Sequence, residues 1–409
     1  MVLFKNCQKC PVASLIERNS VYEIKISEEL DESIWFKISG FNKNKEHFFS
    51  PQFISAMKSN SSVKLFFVEM LEKKRTMGVA IIGVTNFYGQ PLERFLPQRG
   101  PLIEIVGRYL KLLNRNLEFK LLVLGNPLSS GETGLVLADD CNKTKAIRSI
   151  IKAAGIIENK SDNIQGWVLK DFLEDSDFSR ILADECSLTR CITDPDMVLR
   201  VEPHWQDFND YLENLQSKYR VKARRAYSKS NNLRMESLSS EDLKKYSSEM
   251  ESLYNQVLNH CDYYMGRLNG EMFEKLKSGL GSSFIADGYF LGDKLVGFKT
   301  AHLASGNMKA LWVGFDYDFN QEHGIYSRIL YDYVKLGIEL KAQTIDFGRT
   351  ATEMKSCLGA RPKQMVCFIK QSKFFMNLMM KFLASKIIFP VQIIRDPFKK
   401  ELFTREMAG

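Results

Sequence analysis

Residues 312–337, WVGFDYDFNQEHGIYSRILYDYVKLG, open like a strand, break into a polar loop and restart as an amphipathic helix. The join is Gln321-Glu322-His323-Gly324-Ile325-Tyr326. Backbone N–H groups at a helix start lack partners, and the positive end of the helix dipole lies there, so such a join suits an anion. It equally suits an ordinary turn. The surrounding order of elements has to decide between them.

Upstream, residues 283–304 (SFIADGYFLGDKLVGFKTAHLA) read as a hairpin turning at Gly292-Asp293, followed by the strand MKALWVGFD. Downstream come the strand TIDFGRT, the short helix ATEMKSCLGA and the strand QMVCFIKQ. The first half repeats the theme. Residues 63–88 (VKLFFVEMLEKKRTMGVAIIGVTNFY) form a hairpin, and Gly78 enters its second strand as Gly297 does in the other. A helix near 103–115 follows, with Ile103, Val106, Leu110 and Leu113 at helical spacing. Then come LEFKLLVLGNP, NKTKAIRSIIKAAG and QGWVLKDF as strand, helix and strand. Each half thus runs hairpin, helix, strand, helix, strand, and the first lacks a clean counterpart to MKALWVGFD. This order predicts an α+β chain of two tandem domains, 1–200 and 201–372, with an amphipathic tail over 373–409.

With 409 residues and 44% hydrophobic side chains, two such domains can each bury a core. The net charge of +8 fits a polyanionic partner, although many proteins carry such an excess without one. Of eight cysteines only Cys7 and Cys10 form a C-x-x-C pair, without a second pair or a histidine cluster, so no metal is expected. The N-terminal stretch lacks a signal peptide's apolar core and no run is long enough to span a membrane. The expected location is the cytoplasm, with reduced thiols.

Between the halves lies VEPHWQDFNDYLENLQSKYRVKARRAYSKSNN. Trp205, Phe208, Tyr211, Leu212 and Leu215 make an apolar stripe. Lys218, Arg220, Lys222, Arg224, Arg225 and Lys229 then form a basic strip, which reads either as a solvated face or as a phosphate-binding one.

The order of elements resembles the GNAT acyltransferase fold. Its duplication, with a basic helix opening the second copy, looks like the tandem FemAB-like and BioF2-like acyltransferases. The residues that carry the resemblance are YLENLQSKYRVKARRA, GFDYDFNQEHGIYSRILYDYVKLGIE and IDFGRTATEMKSCLGARP, over about residues 60–370. It implies two GNAT-like domains, each a mixed, mostly antiparallel sheet flanked by helices. It further implies that the join at 321–326 grips the pyrophosphate of acyl-CoA through Gln321, Gly324, Ile325 and Tyr326, and that a splayed strand offers an amide near Val313 or Gly314 to the oxyanion. Tyr326 stands where the family has a small residue, so the grip is altered or the donor is different. Relatives that use aminoacyl-tRNA generally carry a long helical hairpin in the second domain, and no heptad run of that length occurs here.

Amide formation needs a neutral amine, and a model alkylamine is neutral in only about one molecule in 10³ at pH 7. It also needs oxyanion donors, worth about 2.7–4 kcal/mol each when preorganised. His302, in the strand GFKTAHLAS, is a candidate base, though a lone histidine there also suits a structural role. Asp346 and Arg349 at a strand end, with Lys355 on the next short helix, are the stronger catalytic candidates. Asp262, Tyr263, Tyr264 and Arg267 would line the acceptor side. In LGNPLSSGETG, Asn126, Ser130 and Glu132 belong to a cleft between domains or to a turn.

The tail 373–398 is densely apolar, with Lys373, Lys381, Lys386 and Arg395 interspersed and a break at Pro390. It reads as a helix packed on the sheet or as one lying on the inner face of a membrane. Three readings follow. The first is an N-acyltransferase moving an acyl group from acyl-CoA to the amine of a lipid, amino sugar or cell-envelope precursor. The second is a FemX-like aminoacyl-tRNA-dependent transferase. The third is a non-catalytic module that binds membrane or nucleic acid.

Overall fold

The computed structural model describes residues 21–29, 32–38, 46–90, 100–110, 112–113, 116–185, 187–384 and 392–399. Cys7, Cys10, Lys386 and Pro390 lie outside them. The strands are β1 Glu23–Ser27, β2 Val63–Glu72, β3 Arg75–Gly89, β4 Leu117–Leu124, β5 Leu135–Leu137, β6 Gly166–Leu173 and β7 Thr189–Arg200. They continue as β8 Arg234–Ser237, β9 Tyr263–Met265, β10 Phe284–Leu291, β11 Lys294–Ala304, β12 Asn307–Phe315, β13 Thr344–Asp346 and β14 Arg361–Gln371.

The two hairpins repeat in detail. β2–β3 turns at Lys73 and Lys74, both with positive φ, and β10–β11 turns at Gly292-Asp293. Both carry a register shift just before the turn, at Met70/Leu71 and at Tyr289/Phe290. Gly78 and Gly297 occupy the same place beyond it, facing Met70 and Tyr289. At Gly78 a Cβ would lie 2.4 Å from Leu137 of the paired strand β5, and at Gly297 2.8 Å from Ile325, so each glycine admits a close neighbour that a side chain would exclude.

The counterpart of MKALWVGFD is present after all. β4 runs antiparallel to β3 and parallel to β6, as β12 runs antiparallel to β11 and parallel to β13. The helix Pro101–Tyr109 interrupts the first copy ahead of β4, which displaces the alignment read from sequence order.

The expectation of a separate sheet in each half is corrected: all fourteen strands join one sheet, ordered β1-β2-β3-β4-β6-β14-β7-β13-β12-β11-β10-β8, with β5 and β9 also paired to β3. The cause is an exchange of final strands. β7 pairs with β13 of the second half, and β14 pairs with β6 of the first. β7 and β14 also pair with each other. Each half therefore completes the other's sheet, and one of the buried clusters draws on both halves. Phe53 and Val79 cluster with Phe273, Phe298 and Trp312, all nearly or fully buried. The Trp312 indole N–H donates to the Leu128 carbonyl at 2.8 Å across the same seam.

The polar join at 316–324 is also different from its sequence reading. Asp316 accepts from the Asp318 and Phe319 amides and caps a short helix, Tyr317–His323. Gly324, at φ 62 and ψ 36, ends that helix in the left-handed region and starts the next, Ile325–Glu339.

A candidate active site where two strands part

β12 and β13 pair over three residues only, ending at Lys309 opposite Asp346. Beyond that point β12 continues to Phe315 while the chain leaves β13 through Phe347 and Gly348. The strands open like a V. Along β12 the amides of Trp312 and Asp316 point to β11, at 3.0 Å from Thr300 Oγ1 and 2.9 Å from the Val296 carbonyl. Alternation along an antiparallel strand then turns the Val313 amide the other way, toward the open edge. Gly314 lies in the inward set. It packs so closely on the helix Ser247–Asn259 that a Cβ would fall 2.7 Å from the Tyr254 amide nitrogen.

A cavity of about 260 Å³ fills the V. Val313, Tyr326, Tyr263, Tyr264, Arg349 and Lys355 all border it, drawn from separate stretches of the chain. The first half contributes Ser129, Ser130 and Lys170. Three cations thus reach the cavity, and among the described residues no Asp or Glu lines it. On the far side of Tyr326 and Leu330, which border both, lies a second pocket of about 480 Å³. Lys222, Arg225 and Lys229 enter it from one face of the helix Ser217–Lys229, opposite Gln321, Gly324 and Ser327, again with no acidic residue. Their spacing of three and four residues is what aligns them on one face.

The helix start is partly capped by the protein itself. The Tyr326 amide donates to Asn320 Oδ1 at 2.9 Å, and Lys229 Nζ donates to the Gln321 carbonyl at 2.6 Å. The Tyr326 ring stacks on Phe315 at 5.4 Å and stands between the two hollows instead of over the backbone. The positive character of this pocket therefore comes mainly from side-chain cations.

Beneath the cavity the turn after β13 folds around one ammonium. Lys355 Nζ donates to the carbonyls of Phe347, Gly348 and Arg349 at 2.8, 3.1 and 2.5 Å, and burial draws its pKa down to about 8. Asp346 and Arg349, adjacent in the sequence reading, take separate partners. Asp346 accepts from Lys309 Nζ at 2.6 Å and from the Gly348 amide at 2.8 Å. Burial would raise its pKa, but the Lys309 charge outweighs that and holds it low. Arg349 Nη1 meets Asp171 Oδ1 at 2.8 Å on β6. Burial would raise Asp171 too, and Arg349 and Lys170 overcome it. Asp196 differs: burial and the neighbouring Asp346 push it up to about 6, and its Oδ1 has no hydrogen-bond partner among the described residues.

Asp346, His302, Gly314, Ile325 and Asp262 border neither the cavity nor the second pocket. His302 is buried in β11 with its ring 6.3 Å from Phe48, and burial lowers its pKa to about 4. The Ile325 side chain is fully buried against the sheet. β9 pairs Tyr263, Tyr264 and Met265 with Gly89, Tyr88 and Phe87 of β3, and the Asp262 carbonyl accepts from the Gln90 amide. Beyond β9 is an open basin of about 560 Å³ bordered by Arg267, Lys64, Lys120 and Lys160, with Asp162 as its one acid among the described residues. Arg267 Nη2 donates to the Tyr264 hydroxyl at 2.7 Å, linking the basin to the cavity wall.

Sequence reasoning missed Lys170, Asp171, Asp196 and Lys309; Asp171 meets Arg349 from 178 positions away, and Lys309 meets Asp346 from 37. Ser130 of LGNPLSSGETG does reach the cavity. Asn126 lies under the turn, accepting from the Leu128 amide, and Glu132 accepts from the Leu173 amide.

No family model matches the sequence, and no curated protein matches it. Solved structures do match. FemX superimposes with a TM-score of 0.51 at 10% identity, over 87% of this chain and all of FemX. A tandem GNAT protein from the clavulanic acid biosynthesis pathway gives 0.52 at 9% identity, over 86% of this chain and 99% of that one. The chain has the tandem GNAT fold of the FemAB-like type. Among the described residues no group of His, Cys, Asp and Glu could hold a metal, and no helix is long and apolar enough to cross a membrane.

Proposed function

We propose that this chain is an N-acyltransferase whose donor is anchored by phosphate in the pocket of Lys222, Arg225 and Lys229. The acyl group then passes Tyr326 into the cavity, where an amine attacks it. One observation carries the reading: β12 parts from β13 between an acid-free basic pocket and a second cavity, and the two share Tyr326 and Leu330. The Val313 amide, turned toward the opening, is the oxyanion donor. Gln321 and Gly324 border the phosphate groups, and Tyr263 and Tyr264 border the acceptor.

The cavity also supplies an answer to the absent base. Cationic walls and partial desolvation both disfavour an incoming ammonium, and each unit taken off its pKa raises the neutral fraction tenfold. Lys355 and Arg349 keep that field positive and favour the developing oxyanion and the leaving thiolate. Asp346 is a positioning residue that holds Lys309 and the turn. His302 is a structural residue. Lys64, Lys120 and Arg267 suit an acceptor that carries negative charge next to its amine, as amino lipids and cell-envelope precursors do.

The donor is acyl-CoA in this reading. Aminoacyl-tRNA is the second reading, favoured by Lys218 and Arg224, which extend the basic helix into solvent beyond the pocket. Thermal shift separates them. Acyl-CoAs of increasing chain length should raise the melting temperature progressively, and RNA should not. Stabilisation by tRNA alone, declining steeply with salt, would move the donor assignment to aminoacyl-tRNA. No shift with either would overturn the transferase.

A further inference from the structure

We infer that the helices Pro101–Tyr109 and Phe374–Ala384 together form a membrane-docking face that seats this chain on a bilayer with anionic headgroups. The inference rests on the transferase reading and narrows its acceptor to an amine presented at a lipid surface.

The two helices come from opposite ends of the chain and pack side by side. Their inner faces are satisfied. Val106, Leu110 and Leu383 are buried in a cluster with Leu121, Val123 and Val168 of the sheet. Their outer faces are apolar and open. Leu102, Ile105 and Tyr109 are 66–67% exposed, Phe374 and Phe375 77% and 76%, and Leu378 60%. Folding leaves these side chains in water although each helix has already buried one face. A contiguous patch of this kind marks an interaction surface.

Charge selects the occupant. The helix FFMNLMMKFLA contains no acidic residue and carries Lys381, with exposed Lys373 just ahead of it. On the other helix Arg108 faces solvent, and its partner Glu104, at 2.6 Å, is the only acid in the pair. Large apolar side chains flanked by Lys373 and Lys381 match the acyl boundary and anionic headgroups of a bilayer. Among the described residues neither helix is long and apolar enough to span one, so the face is assigned to the surface plane.

The face is also placed for the proposed chemistry. Met265 packs against the same cluster and lines the reaction cavity, and Phe87 of the cluster stacks on Tyr263 at 6.0 Å. A headgroup amine beside the docked helices is therefore one strand away from the cavity.

The full chain is mixed with phosphatidylcholine vesicles, with and without phosphatidylglycerol, and sedimented. Wild type should partition onto the anionic vesicles, and F374S/F375S should do so roughly tenfold less or weaker, with an unchanged melting temperature because both rings are exposed. L102S/I105S should repeat the loss from the other helix. Equal partitioning of wild type and both variants, or none by wild type, would overturn the inference. So would a wild-type dimer that both variants dissolve in sizing experiments, which would give the face to a second copy. The assay needs no turnover. Gly324→Glu, aimed at the donor pocket, should sediment like wild type, so failure of docking and failure of transfer are read separately.

Discussion

Arg349 reaches back 178 positions along the chain to place Nη1 2.8 Å from Asp171 Oδ1. The carboxylate is fully buried and also receives the Gly131 amide at 3.1 Å and Lys170 Nζ at 2.6 Å. Three segments of the seam thus meet on one side chain. Asp171→Asn should cost about 3–5 kcal/mol, because it strands buried cations without a counter-charge. Urea unfolding at neutral pH checks this. Since the folded-state pKa of Asp171 is depressed, its contribution is present above about pH 4 and is lost as pH falls below that.

Asp196 has the opposite sign. Its pKa rises to about 6 in the fold, against about 3.9 unfolded. Between those values the folded state holds more protons, so stability falls as pH rises. Asp196→Asn should remove the ionised acid and gain about 2–3 kcal/mol above pH 7, with little effect at pH 4. Denaturant midpoints at the two pH values decide it; an equal shift at both would show that the carboxyl's charge is not the cause.

Lys355 titrates near 8, so its ammonium is lost from the cavity wall as pH rises through that value. With a water-soluble amine acceptor, kcat should decline above about pH 8. Lys355→Met should lower kcat by about 10²-fold and abolish the declining limb. The linkage to stability is favourable in the same window: burying the ammonium costs free energy below pH 8, and that cost is relieved as pH rises toward about 10.4.

Gly324→Glu should abolish acyl-CoA binding, measured by calorimetry, since it sets a carboxylate beside Lys229, whose Cδ would be 3.4 Å from the new Cβ. Gly324→Ala carries the same left-handed strain, about 1 kcal/mol, without the charge, and should still bind. Equal affinities for Glu, Ala and wild type would remove the pocket from the donor site.

The hairpins, the basic helix and the cavity tyrosines were legible because their signals are local. Period-two apolar runs, Gly292-Asp293 and cations spaced three and four apart depend on neighbours in sequence. The helix Tyr317–His323 was read as loop because its residues are polar. Its stability comes from the Asp316 cap and from Gly324 ending it, which a composition-based reading undervalues. The ion pairs are not legible in the sequence for a different reason. Asp346 and Arg349 are close in sequence, yet turns with positive φ at Gly348, Thr350 and Ala351 send them to different partners.

By itself the sequence determined the duplicated order of elements, the positive charge beside the helix start, and the equivalence of Gly78 and Gly297. These follow from steric and polar preferences acting over a few residues. Tertiary structure alone decided that β7 and β14 change places and that the halves share one sheet. Only it decided which carboxylate neutralises which cation beneath the cavity. Strand exchange and buried charge pairing compare whole alternative arrangements, whose energies depend on contacts between segments distant in the chain, and no local pattern encodes that difference.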